Sequence, residues 1–433
     1  MRPILAIVVG ACLIAVTALG AEGDSARERL EASARAIDAK AVAWRHDFHR
    51  NPELSNQEER TAGIVAAHLR SLGLVVRTGV GGHGVYGLLR GSGPGATVAL
   101  RADMDALPLT EQTDVPFRST VQAMHEGREV GVMHACGHDL HTAALMGAAE
   151  ILAGMRDSLR GNVVFIFQPA EEAPPRGGAL AMIEQGVLDD PKVDAIFGLH
   201  TGRTPVGTLR YVAGPGNAAT DTFRIVVEGK PVGGASPWDG VDPLVVGAQI
   251  LLGLQTIVSR QVDLTSGPAV ISVGKFQGGE RDNLIPASAE MIGTIRTYDE
   301  RSRLRIHDNL RRTVEHIAAA SGATASVTID AGYPVAINDP ALVQMMLPSL
   351  EAVVGKQNVE RRSPSTGGED FARFGQKVPG MYVWFGYVPK GVDPASAPPQ
   401  HSDRFDADDA AVGIAMRTYA TLADDYMHLH DTR

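Results

Sequence analysis

Three histidines, one cysteine and one aspartate crowd into eight residues, HACGHDLH, from His134 to His141. A thiolate two residues from an imidazole has ordinary metal-ligand spacing, so Cys136 and His138 can grip one ion. His141 follows His138 by one helical turn and can be recruited as well. Cys136 has two other readings, as a nucleophile with a nearby histidine as base or as half of a disulfide. The chain has only two cysteines, Cys12 and Cys136. Cys12 lies in ILAIVVGACLIAVTALGA, an apolar run preceded by Arg2 and followed by charges at Glu22 and Asp24. That pattern reads as a signal peptide over residues 1–21, cleaved near residues 20–22, and predicts an exported protein with no membrane attachment afterwards. The run is also long enough to serve as an uncleaved anchor. Cleavage removes Cys12 and leaves Cys136 without a partner in its own chain. Nucleophile and ligand remain.

A second acidic constellation is QPAEE, where Glu171 and Glu172 follow an apolar strand. Successive residues of an extended chain point to opposite sides. One carboxylate can therefore hold a metal while the other exchanges a proton with a water, a pairing that suits hydrolysis. Two isolated histidines sit at polar breaks, His200 in FGLHTG and His401 in PPQHSDRF. A lone histidine is more often structural, so both matter only if the fold brings them to the first two motifs. Asn283 and Arg296, in RDNLIPASAEMIGTIRT, could hold a carboxylate by paired hydrogen bonds.

These residues need a frame. From residue 30 onward, apolar strands such as GATVALRADM, NVVFIFQ and VDAIFGLH alternate with helices such as DLHTAALMGAAEILAGMRDSL and GALAMIEQGVL. Such alternation predicts an α/β sheet covered on both faces, with chemistry gathered beyond the carboxyl ends of its strands. Residues 215–334 read differently, in the order β-α-β-β-α-β, which fits a ferredoxin-like α+β domain. The α/β pattern then resumes, with PALVQMMLPSLEAVVG and DADDAAVGIAMRTYATLADDYMHL as helices around the strand GMYVWFGYV. The expected division is thus a first part over 30–214, an insertion over 215–334 and a second part over 335–433. A formal net charge of −10 with no long basic run does not fit a nucleic-acid partner.

Taken together, RHDFHRNPELSNQEERTA, LRADMDALP, HACGHDLHTAA, FQPAEE, GLH, PWDGVDP, NLIPASAEMIGTIRT, GGEDF and HSDRF occur in the order expected of the aminoacylase-like di-metal peptidases. The chain resembles their amidohydrolase branch, which contains hippurate hydrolases and indole-acetyl-amino-acid hydrolases, over nearly everything after residue 40. The resemblance implies a mixed-sheet metallopeptidase domain interrupted by a lid that mediates homodimerisation. It implies hydrolysis of N-acyl amino acids or small peptides with two divalent ions per subunit (zinc, manganese, cobalt or nickel). Cys136, His138, Glu172, His200 and His401 match the metal ligands, Glu171 the general base and Asp103 the supporting aspartate. Arg101 stands where relatives outside the branch have a histidine ligand, and Asn283 and Arg296 match lid residues that contact the substrate's carboxylate end. One position departs from the pattern. In GKPVGGASPWDGVDP, Gly233 replaces a lid histidine that in relatives reaches across the dimer to the reacting carbonyl. The alternative reading is therefore a catalytically impaired or purely binding relative.

Overall fold

The computed structural model describes residues 5–431 apart from Leu264, with side chains described from Arg27 to His430. The expected signal region over residues 1–21, its cleavage site and Cys12 fall outside the described side chains.

Eight strands form one mixed sheet, and its four central members, Arg160–Gln168, Gly93–Asp103, Ala195–Pro205 and Gly380–Val388, run parallel. They are buried on both faces, which is why they read as unbroken apolar runs. The pleat sorts their side chains into two cores. Val98, Leu100 and Ala102 face one side with Met381, Val383 and Phe385, whereas Ala99 faces the other with Tyr382 and Trp384. The first core is covered by five helices: Leu5–Arg50, Glu59–Ser71, His138–Gly154, Pro340–Val354 and Ala410–Asp431. Leu30, Ala34, Ile37, Ala41 and Phe48 recur at helical spacing and lay one face of the first helix on the sheet. The last helix starts at Ala410 rather than at Asp406, because the Asp408 carboxylate accepts the Ala410 N–H at 2.9 Å and stops the helix there. Short strands at Val75–Val80 and Gly84–Arg90, which the sequence pattern does not announce, extend the sheet at one edge.

Residues 219–331 build a separate sheet. Its strands are Ala219–Glu228, Ala269–Gly278, Ser288–Thr297 and Thr324–Ala331, ordered fourth, first, third, second across an antiparallel sheet. Helices Pro243–Gln261 and Glu300–Ala320 bury Val246, Ile250, Leu254, Ile306, Leu310 and Val314 against Phe223, Ile225 and Ile295, a core of its own. Each helix has an aspartate N-cap: Asp242 accepts from the Leu244 N–H at 2.8 Å and Asp299 from the Ser302 N–H at 2.7 Å. Beneath this sheet the buried Asp221 carboxylate receives Arg303 through two nitrogens and His307 at 2.6 Å.

Burial opposes the charge on Asp221, but Arg303 and His307 hold its carboxyl down at about 2. A carboxylate lowered on folding adds stability above its unfolded value near 4, and that stability is lost as pH falls through its folded value. Asp221→Asn leaves the buried Arg303 only its longer contact with Glu300, at 3.3 Å, and is expected to cost about 3 kcal/mol at neutral pH. In urea unfolding across pH, the gap to the wild type should narrow from about pH 4 down to about 2.

A candidate metal centre

The carboxyl ends of the parallel strands share one sheet edge, and the chemically competent residues gather there. Asp103 ends one strand, Gln168 ends the next just before Pro169–Glu172, and His200 lies midway along a third, Ala195–Pro205, two residues past its last pairing with the first at Gly198. His138 opens the helix His138–Gly154, and Gly137 before it has a φ of +93°. A side chain at Gly137 would be strained by that φ, and its Cβ would meet the Thr201 methyl at 2.5 Å, so HACGHD needs its glycine.

Cys136 Sγ lies 3.4 Å from His200 Nε2 and 3.3 Å from His401 Nε2, and His401 Nε2 lies 3.0 Å from Glu172 Oε1. Ligand atoms of Cys136, His138 and His200 fall within 4.8 Å of one another, as do those of Cys136, Glu172 and His401, and those of His138, Glu171 and Glu172. All five expected ligands and the expected base therefore converge. The ring orientations suit metal binding. His138 Nδ1 donates to the Asp105 carbonyl at 2.8 Å and His200 Nδ1 to the Thr201 carbonyl at 2.8 Å, so each ring presents its Nε2 to the cluster. His138 Nε2 is buried without a hydrogen-bond partner. An orphaned imidazole nitrogen, a thiol, two more imidazoles and a carboxylate in one spot fit a divalent ion.

The other two histidines of the opening motif fall in no donor group with Cys136, although both ring nitrogens of His134 are buried without a hydrogen-bond partner. His141 bonds Asp103 through Nδ1 at 2.5 Å and accepts the Thr201 N–H on Nε2 at 2.9 Å, so both nitrogens are engaged. His134 is buried behind the site beside Asp139, which is itself bonded by His49 and Arg45.

Backbone contacts set the acidic pair. The Glu58 carboxylate accepts the Ala170 N–H at 2.8 Å, Asp105 accepts the Glu172 N–H at 2.9 Å, and the Tyr333 hydroxyl donates to the Glu171 carbonyl at 2.6 Å. Glu171 then faces Glu369 and Asp370, while Glu172 faces Cys136 and His401. Behind Glu171 lies an arrangement not anticipated from the sequence. Arg101, fully buried, pairs with Asp103 at 2.6 Å, Asp370 at 2.9 Å and Glu369 at 3.1 Å, and Gln168 accepts from its Nε at 2.8 Å. The acidic pair within GGEDF was the available signal, and the buried, mainly apolar run of strand Gly93–Asp103 hid the cation inside it.

The local field is strongly negative. Burial, then Glu369, Glu172, Asp370 and Asp103, push the Glu171 carboxyl well above the ordinary range. Burial opposes a charge on His138, yet Asp103, Asp105 and Glu172 raise it to about 10. Burial and the neighbouring carboxylates drive the Cys136 thiol far upward, opposite to the shift a cysteine nucleophile requires.

A cavity of about 910 Å³ opens from this cluster, within the range of small-molecule sites. Arg296 lines it; Asn283 and Gly233 do not. They sit on a neighbouring exposed ladder, where Val232–Gly233 pairs with Leu284–Ile285, and the structure does not bring Asn283 together with Arg296 within one chain. A Cβ at Gly233 would meet nothing within 4 Å, so no close packing demands a glycine there.

The model of peptidase family M20/M25/M40 matches residues 99–425. The chain belongs to this family. It is 40% identical to thermostable carboxypeptidase 2 of Saccharolobus solfataricus, across 92% of this chain and 98% of that one. It is 41% identical to an N-acyl-L-amino acid amidohydrolase of Geobacillus stearothermophilus, across 72% of this chain and 81% of that one. Among solved structures, a dinuclear metal-binding M20 peptidase of Bacillus subtilis superposes with a TM-score of 0.77 at 35% identity, covering 91% and 99% of the two chains.

Removal of bound divalent ions should destabilise the fold, because an ion held only by the folded state contributes about 2.7 kcal/mol at a hundredfold excess over its Kd. Calorimetric unfolding after chelation is expected to show a lower midpoint, restored by added ion. An unchanged midpoint would count against the centre.

Proposed function

We propose that this M20 peptidase hydrolyses the amide bond of N-acyl amino acids or small peptides, releasing a carboxylic acid and an amino acid. One observation carries the reading: donors as far apart in sequence as Cys136 and His401 meet at Sγ–Nε2 3.3 Å beside Glu171, at the mouth of a cavity lined by Arg296. Cys136, His138, Glu172, His200 and His401 would hold two divalent ions, and the mixed sulfur, nitrogen and oxygen set suits zinc, manganese, cobalt or nickel. Ions bound there supply Lewis-acid activation of a water and of the acyl carbonyl. The chain's own residues do the rest. Glu171, whose raised pKa favours proton uptake, takes the water's proton on its carboxylate and returns it to the leaving amine. Asp103 orients His141 and neutralises Arg101. Arg296, whose hydrogen bond goes to the adjacent Ile295 carbonyl, retains donors for a substrate carboxylate.

The working unit in this proposal is a homodimer. Helix Pro243–Gln261 carries no charge before Arg260, and its outer face shows Val245 (55% exposed) and Leu252 (68% exposed). The edge strand Ala269–Gly278 lies alongside with Val270 and Phe276 exposed. A charge-free apolar helix face next to an open sheet edge suits a self-complementary contact. That contact would give Gly233 and Asn283, outside their own cavity, a place at the second copy's site.

Glu171→Gln is expected to lower turnover of an N-acyl amino acid by about 10²–10⁴, with metal content unchanged by elemental analysis. Full activity in a metal-free preparation would end the proposal. Sedimentation equilibrium should give about twice the 45.8 kDa chain mass for the full-length protein, and the single mass for Leu252→Asp.

A further inference from the structure

One wall of the cavity carries a cation that the proposed reaction does not use. A cross-strand row leads outward from His200. Trp384 is its register partner on the adjacent parallel strand, Arg210 is the partner of Trp384, and Glu360 is the partner of Arg210. Register partners project to the same face, so the four side chains form a continuous wall, and all four line the cavity. Arg210 and Glu360 neutralise each other at 2.7 Å.

Arg362, two residues beyond Glu360, folds back onto this wall with its guanidinium 4.1 Å from the centre of the Trp384 ring. It is half-buried, and its Nε donates to the Ser363 carbonyl at 3.1 Å. Among the described residues no carboxylate lies within ion-pair distance of it. Burial and then the like charge of Arg210 work against its own charge. The contact with the indole holds the guanidinium against the cavity wall, and with only its Nε engaged by the Ser363 carbonyl its terminal nitrogens keep donors for a carboxylate. Tyr298, within electrostatic reach of Arg362, lies two residues past Arg296 on the insertion. Among the described residues, Arg296 and Arg362 both line the cavity without an ion-pair partner, as do Arg203 and Arg361, but of these Arg362 is the one seated on an aromatic ring.

We propose that Arg362 binds a second carboxylate of the substrate, beyond the one taken by Arg296. The preferred substrates are then N-acyl derivatives of acidic amino acids, or peptides ending in one. This inference rests on the amide-hydrolysis reading for the class of molecule that enters the cavity. A neutral side chain would leave a partly desolvated guanidinium without its partner, which is the source of the discrimination.

The test compares N-acetyl-L-glutamate with its neutral isostere N-acetyl-L-glutamine on the full-length, metal-loaded chain. The wild type is expected to favour the glutamate compound about 10- to 100-fold in kcat/KM, the range of one charge-assisted bidentate contact. Arg362→Gln should bring that ratio close to one, acting on KM rather than kcat, and Arg362→Lys should leave an intermediate ratio because it keeps the charge without the planar fork. Calorimetric binding of both compounds to the Glu171→Gln chain reads the same preference without turnover. Equal kcat/KM and equal affinity for the two compounds in the otherwise unaltered cavity overturn the inference, whether or not the Arg362 variants fold. An Arg362→Gln chain that loses both compounds equally overturns it too. Selective binding with no hydrolysis of either compound upholds the second carboxylate site and sinks the hydrolytic reading; hydrolysis without selectivity does the reverse.

Discussion

Arg101 is the pivot of the site. Asp103, Asp105, Glu171, Glu369 and Asp370 are all withdrawn from water along one sheet edge, and Arg101 is in ion-pair contact with three of them. Like charges so close cannot all ionise unless cations share the space. One fixed guanidinium is not enough. Burial and neighbouring carboxylates still push Glu58 up to about 8 and Asp370 up to about 7. The unbalanced remainder lies on the side of Cys136, His138 and Glu172, where divalent ions would settle it. Arg101 thus divides the carboxylates into the three it contacts, Asp103, Glu369 and Asp370, and those it does not, among them Glu171 and Glu172. A neutral residue at position 101 would expose three buried carboxylates to one another and disturb the site from below.

Around that pivot, contacts made to the main chain hold the side chains of the cluster. Glu171 and Glu172 are aimed by N–H and carbonyl contacts to Glu58, Asp105 and Tyr333. His138 and His200 each have one nitrogen occupied by a carbonyl, which fixes the tautomer that leaves the other nitrogen available. Thr201 joins several of these contacts: its N–H goes to His141, its hydroxyl to the Cys136 carbonyl at 2.7 Å, and its carbonyl accepts from Gln400 at 2.8 Å. The loop carrying His401 is tied in the same way, by the His401 N–H to the Ala135 carbonyl.

Much of this could be read from the sequence where local pattern and chemistry coincide. HACGHDLH and QPAEE announce themselves by spacing, and the strands before them by unbroken apolar runs. His200 and His401 were legible only as polar breaks, since their meeting with Cys136 depends on the order of strands in the sheet. Arg101, Glu369 and Asp370 were harder. Their meaning lies in a contact across 269 residues between Arg101 and Asp370, and a buried arginine has no signature of its own in a strand. Arg362 was not legible at all, because what distinguishes it is the partner it lacks. The strands Val75–Val80 and Gly84–Arg90 were missed for a simpler reason: glycines at 79, 81, 82 and 84 interrupt the alternation that would mark them.

The insertion's own geometry bears on how the chain closes. Cys136 and His401 are 265 residues apart, a separation that makes joining them entropically costly for a flexible chain. Asp221 and Ala331, however, are register partners on neighbouring strands. Once the inserted sheet has folded on its own core, its entry and exit lie side by side, and everything between them drops out of the loop to be closed. The insertion acts as a knot tied early in a long cord. His401, near the end of the chain, then closes a shorter loop than its position in the sequence suggests.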